Sequence, residues 1–269
     1  MTLPVSPLTP YADVNQMLGL LMENVKGVLG DALVAMYLEG SLANGDFDED
    51  SDIDFVVVTE GEIDQETFEA LRGMHDQIQT VDSKWADQLE GSYISRRGVR
   101  KYDPAFASYP NMERGQGERL KLWHHDEMWD IHRYILLKRG ITILGPEPKE
   151  LIDPVPVERL QKAMQVILDG WATEFLGKPE LMAARGYQSY VVLSMCRILY
   201  TLAHGDIVSK KAAARWASET LDERWQPLLE SAWVGRHRSN MLPYDEDVLG
   251  TLALIRYVKA EAEAERQKS

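Results

Sequence analysis

The sequence predicts an α+β protein in two parts: a mixed sheet with helices over residues 1–154, then an all-helical bundle over 155–269. Three observations carry this. Short apolar runs of strand length alternate with helix-period segments as far as Leu144. The segment 145–156, GPEPKELIDPVP, holds four prolines and breaks the pattern. Beyond it every periodic segment is helical.

Taken in order, Val14, Met17, Leu18, Leu21, Met22, Val25 and Val28 recur at helical spacing over residues 13–29, and Gly30 is a fitting stop. An apolar run from Leu33 to Leu38 ends at Gly40-Ser41, and a second runs from Ile53 to Val58. These read as two strands joined by a tight turn and an acidic loop. Residues 63–80 read as a helix with Asp64 as its N-cap. Trp85 to Ser95 reads as a third strand carrying Glu90. Residues 96–118, punctuated by Gly, Pro, Arg and Asn, read as a long surface loop with a basic start at Arg96, Arg97, Arg100 and Lys101. A functional loop and a solvated face both fit that cluster. Residues 119–144 read as a helix followed by a short strand from Ile141 to Leu144. Helices are expected at about 156–176, 179–204, 209–219, 222–235 and 244–265.

The chemistry concentrates at the second strand. Asp52 and Asp54 alternate with Ile53, so both carboxylates share one face. Paired carboxylates repel unless a cation lies between them, and hard oxygen donors suit Mg²⁺. Gly40 lets the backbone approach a bulky ligand, Ser41 adds a hydroxyl, and a short helix opening at Ser41 would point free N–H groups at a phosphate. A hairpin with a merely solvated acidic loop is the plain alternative. Glu90 is the best third carboxylate, able to ligate metal or take a proton from an attacking hydroxyl. The order of apolar strand, Gly-Ser, ten residues and Asp-Ile-Asp resembles the signature of the DNA polymerase β-like nucleotidyltransferases.

The resemblance extends over nearly the full length to the aminoglycoside (3″)(9) adenylyltransferase family, which inactivates streptomycin and spectinomycin. It is carried by EGSLANGDFDEDSDIDFVVV, LEGSYI, ILGPEP, IDPVP, YVVLSMCRILYTLAHGDIVSKKAAARWA and IRYVKAE. It implies a polymerase β-like nucleotidyltransferase domain followed by a helical domain, with Mg²⁺, two ions in all, and ATP as co-substrate. By this resemblance Asp52 and Asp54 match the metal-binding aspartates, Glu90 the catalytic base and metal ligand, and Gly40-Ser41 the turn at the ATP phosphates. Arg197 and Lys210 match basic residues that reach the nucleotide phosphates, and Trp123 matches a tryptophan that packs on streptomycin. The chain departs from the pattern at two places. Tyr187 stands where streptomycin-binding members carry an aspartate, and Arg236 where they carry a tyrosine near the nucleotide. Read without the family, Arg197 in the apolar VVLSMCRILY needs an anionic partner, a phosphate or a structural carboxylate.

Composition bounds the remainder. The formal net charge of −14 disfavours nucleic acid and favours a cationic small-molecule acceptor. The lone Cys196 lies in an apolar helical run, where a packing role fits, and a single cysteine excludes a disulfide framework. No stretch reaches the roughly 18 apolar residues of a membrane span. The N-terminal MTLPVSPLTPYADV lacks a basic region followed by an apolar core, so a cytoplasmic, monomeric chain without a signal peptide is expected. His124, His125 and His132 lie near Asp126, Glu127 and Asp130, with His125 and His132 sharing a helical face; solvated or substrate-lining histidines fit better than a zinc site. Trp129 reads as core, and Trp171, Trp216, Trp225 and Trp233 as packing between the later helices.

Overall fold

The computed structural model describes residues 7–106, 108–238 and 241–268, so the first six residues of the N-terminal segment read above lie outside the described residues. The chain divides into two compact units, Met1–Val155 and Pro156–Ser269.

In the first unit, α1 (Ala12–Leu29) runs into β1 (Leu33–Leu38), and Gly30 closes α1 at a φ of 49°. A one-turn helix α2 (Gly40–Asn44) leads to β2 (Ile53–Thr59), and α3 (Gln65–Ile78) crosses over to β3 (Leu89–Ser95). Asp64 caps α3 by accepting from the Thr67 N–H at 2.8 Å. Then come α4 (Arg96–Arg100), β4 (Ser108–Met112), β5 (Lys121–His124), α5 (Trp129–Arg139), β6 (Ile141–Leu144) and α6 (Pro148–Leu151). The sheet order is β5-β4-β3-β2-β1-β6. Among the described residues only β2 and β3 pair in parallel, and a crossover through α3 joins them. Strand alternation divides the core in two. Met36, Leu38, Phe55, Val57, Leu89 and Tyr93 pack with α1 and α3 on one face. Ala35, Tyr37, Val56, Val58 and Ile94 pack with α4, α5 and α6 on the other.

Several expectations are corrected here. Residues 96–118 are not an irregular loop. Ser95 caps α4 by accepting from the Gly98 N–H at 3.1 Å, and β4 joins the sheet beside β3 despite Pro110. The start of the expected helix at 119 is the edge strand β5, whose four residues are all exposed. An edge strand wetted on both faces has no alternation to read. The third strand begins at Leu89, because Ser83–Gln88 is wound into turns and Trp85 is pinned by its indole N–H donating to Asp13 at 2.7 Å. The basic cluster at 96–101 is a solvated face: Arg96, Arg97 and Arg100 pair on the surface with Glu60, Asp103 and Asp153.

The second unit holds α7 (Val157–Gly177), α8 (Arg185–His204), α9 (Lys210–Thr220), α10 (Gln226–Gly235) and α11 (Asp245–Lys268). The expected helix from 179 is a 3-10 turn over Pro179–Met182 before α8 begins. Helix α8 packs against all four others and buries Val191, Val192, Met195, Cys196, Ile198 and Leu199. Burial pushes the Cys196 thiol up to about 12, so it is a packing residue, not a nucleophile. Among the described residues no helix is long and apolar enough to cross a membrane.

Candidate active site

Three carboxylates form a row across adjacent strands. Asp54 on β2 lies opposite Glu90 on β3. On the other side, Leu38 at the end of β1 lies opposite Phe55, and the next residue, Glu39, donates its N–H to the Asp54 carbonyl at 3.1 Å. By alternation Glu39, Asp54 and Glu90 all continue the face of Tyr37, Val56 and Ile94, one strand spacing of about 4.8 Å apart. Asp52 precedes β2 and is partly buried.

The turn after β1 is built around Asp54. Gly40 has a φ of 62°, and a Cβ there would fall 1.7 Å from Asp54 Oδ2. No residue with a side chain fits without displacing that carboxylate. The expected helix does open at this turn, one residue before Ser41, and ends after five. The Ser41 hydroxyl is buried with no hydrogen-bond partner among the described residues. A buried donor left unpaired is costly, so a ligand oxygen is its natural complement.

These features suit a divalent cation bridged to phosphate: hard oxygens, a glycine cradle and an orphaned hydroxyl. The carboxylates are not drawn together. Among the described residues no group of three or more His, Cys, Asp or Glu side chains is gathered as a formed metal centre. Asp52 instead faces Arg114, whose Nη1 lies 3.4 Å from Asp52 Oδ2 and 3.3 Å from the Asp50 carbonyl.

Helix α5 adds the residues that the sequence left unassigned. His132 Nδ1 lies 2.7 Å from Glu39 Oε1, and its ring packs on Trp129 with centroids 5.0 Å apart. Glu39 is buried, and its Oε2 has no partner among the described residues. Burial alone would lower the His132 pKa; the Glu39 charge and hydrogen bond, with Glu90 beyond, outweigh it and raise it above the ordinary imidazole value. The shared-face reading of His125 and His132 is corrected. His124 ends β5, His125 lies between β5 and α5, and only His132 is helical. His125 is neither solvated nor substrate-lining: it is 1% exposed and accepts from Arg133 at 2.8 Å. Trp129 is buried as expected. Alternation from Tyr37 would have placed Glu39 on the Asp54 face; nothing local could have paired it with His132.

Trp123 lies on β5 opposite Tyr109 and is 40% exposed, not on a helix. In the second unit, Arg197 is half-buried on α8. Lys210 opens α9 after the Ser209 cap, with its Nζ 4.2 Å from the Tyr190 ring centre. Tyr187 is exposed and stacks on Tyr190 at 5.9 Å. The Arg236 guanidinium lies over Trp233 at 4.3 Å.

Residues 23–105 match the nucleotidyltransferase domain model and residues 150–257 the model for the aminoglycoside adenylyltransferase C-terminal domain. An aminoglycoside (3'') (9) adenylyltransferase of Escherichia coli is 27% identical over 266 residues, covering 93% of this chain and 95% of that protein. A spectinomycin 9-adenylyltransferase of Campylobacter jejuni is 26% identical over 262 residues, covering 93% and 94%. Among solved structures, the Enterococcus faecialis spectinomycin adenyltransferase AAD(9), crystallised with ATP and spectinomycin, superposes with a TM-score of 0.71 at 16% identity over 92% of this chain and 98% of that one. At that identity the likeness establishes the fold.

Proposed function

Because the chain belongs to the aminoglycoside adenylyltransferase family, we propose that it transfers AMP from ATP to a hydroxyl of an aminoglycoside or aminocyclitol antibiotic and releases pyrophosphate. The observation that carries this reading is Asp54 facing Glu90 across β2 and β3, with Gly40 fitted against the Asp54 carboxylate.

Asp52, Asp54 and Glu90 would hold Mg²⁺, two ions in all, which when bound would supply Lewis-acid neutralisation of the charge developing on the phosphates. Glu90 accepts the proton of the acceptor hydroxyl as its oxygen bonds to the α-phosphorus. The bond from that phosphorus to the β-phosphate bridging oxygen breaks, and pyrophosphate departs with its electron pair. Gly40 and Ser41 place backbone and hydroxyl donors at the phosphates. Arg197, Lys210 and Arg236 supply positive charge to the nucleotide, and Arg197 is half-buried on α8. Lys210 is held ready on the Tyr190 face.

Trp123 and Tyr187 are exposed aromatic surfaces for the acceptor. A tyrosine at 187 offers stacking but no ionic contact to a guanidinium, which favours spectinomycin over streptomycin. The net charge of −14 favours a cationic acceptor over nucleic acid, and the chain acts as a cytoplasmic monomer.

The test is Mg²⁺-dependent pyrophosphate release from ATP with spectinomycin or streptomycin added, and Asp54→Ala as control. Release with spectinomycin is expected. ATP binding without release on either antibiotic would overturn the acceptor assignment and keep the nucleotide one.

A further inference from the structure

We propose that the second unit carries a ligand site of its own: a groove between the turn ahead of α10 and helix α11 that takes a small phosphate monoester bearing a flat ring, with the phosphate on Arg224 and Arg256 and the ring along Tyr257. None of these residues has a part in the transfer proposed above, so the two readings stand or fall separately.

Two short stretches build the groove. Ala253, Arg256 and Tyr257 recur at helical spacing on α11 and share one face. The 3-10 turn Glu223–Trp225 supplies Arg224 and Trp225, and Asp222 Oδ1 fixes that turn by accepting the Arg224 N–H at 3.0 Å. These five side chains line a volume of about 400 Å³, which is the size of a small-molecule site and larger than a lone ion needs. Arg224 is held in place by its rings: the guanidinium lies 4.9 Å from the Trp225 ring centre and 6.0 Å from that of Tyr257. The two rings meet at 5.4 Å. A guanidinium laid on an aromatic face keeps its N–H edge for an oxyanion. Trp225 adds an independent sign. It is only 7% exposed, yet its indole N–H is buried with no hydrogen-bond partner among the described residues. Buried indoles usually find an acceptor, and an oxyanion supplies one. Two guanidiniums and an N–H offer more donors than a carboxylate has oxygens, and their charge matches a phosphate dianion. The small Ala253 leaves room for the ring beside the partly exposed Tyr257. Burial first, and then the Glu261 and Asp222 carboxylates, raise the Tyr257 phenol above its ordinary pKa, so the field of Glu261 reaches the groove. An anion binds against that field, and removing it strengthens binding.

Phenyl phosphate is the test ligand, titrated into the full chain while nuclear magnetic resonance follows the indole N–H signals of its seven tryptophans. Trp225→Phe identifies the Trp225 signal. That signal is expected to move saturably, with a dissociation constant on the order of 1 mM. Arg224→Gln/Arg256→Gln alters two exposed side chains, which spares the fold, and should weaken binding at least about tenfold. Glu261→Gln should tighten it about threefold, a gain that a loss of folding cannot imitate. Benzoate should bind about tenfold more weakly than phenyl phosphate, and benzyl alcohol more weakly still. The proposal is overturned if the Trp225 signal stays still up to about 20 mM phenyl phosphate, if all seven indoles move on one curve, or if the double arginine variant binds like wild type. It is equally overturned if Glu261→Gln fails to tighten binding, if benzoate matches phenyl phosphate, or if benzyl alcohol does, which would make the groove merely apolar. A chain that adenylylates neither antibiotic would refute the function proposed above and leave this titration to decide the groove by itself.

Discussion

Arg133 and His132 are neighbours on α5, yet Arg133 is a fully buried charge while His132 is half-exposed and meets the buried carboxylate of Glu39. Arg133 is fully buried and every arm is used: it donates to the Val99 carbonyl and to Asp130, each at 3.0 Å, to the Gly98 carbonyl and to His125 Nε2. The guanidinium itself is fully satisfied, and it ties α5 to α4. The Glu39 carboxylate next door is only half satisfied. His132 reaches Glu39, Glu39 keeps an unpartnered oxygen, and Ser41 close by keeps an unpartnered hydroxyl. A satisfied buried charge holds the fold; an unsatisfied one marks where a ligand completes the structure.

The contrast can be broken on either side, and the largest effect should come from the carboxylates. Asp54→Ala is expected to lower pyrophosphate release by at least about a thousandfold with little change in thermal midpoint, since the side chain serves the ligand and not the core. Steady-state assay and differential scanning calorimetry on one preparation check both halves. Arg133→Met should do the reverse. Stability falls by about 3–5 kcal/mol in denaturant titration because Asp130 loses its buried partner, while the protein that remains folded keeps its turnover. Gly40→Ala comes next. The new methyl group must displace the Asp54 carboxylate, and turnover should fall about a hundredfold with a far smaller loss of stability.

Acid sharpens the comparison more gently. Burial, reinforced by the Arg133 guanidinium, pulls His125 down to about 4, and burial pulls His75 down to about 4 as well. Both are neutral in the fold and protonate readily once unfolded. Their contribution is therefore complete above about 6.5 and is lost as pH falls from there towards 4. His132 has the opposite sign: its contribution is present below about 6.5 and lost as pH rises through its elevated folded value. Unfolding free energies from pH 8 to 4 should lose part of their acid slope in His125→Gln and become steeper in His132→Gln. Slopes that match wild type in both variants would refute the assignment.

Legibility followed periodicity. The sequence shows β1, β2 and the Asp52–Asp54 pair because apolar runs and acidic positions alternate there. It hides β5, wetted on both faces, and it hides Arg133, a charge that nothing local marks as buried. The Glu39–His132 pair joins the end of β1 to α5, and the whole α3 crossover lies between them. Such a contact is written only in the tertiary structure.

The parallel pairing of β2 with β3 has a consequence for how the molecule matures. Asp54 and Glu90 become neighbours only after α3 has carried the chain over and β3 has docked beside β2. The antiparallel β1–β2 pair, in contrast, closes over the shorter connection through α2. Long closures are the slow steps of assembly. During refolding, cation binding should therefore lag behind the first hairpin, and a nascent chain still lacking β3 would carry both aspartates and no competent centre.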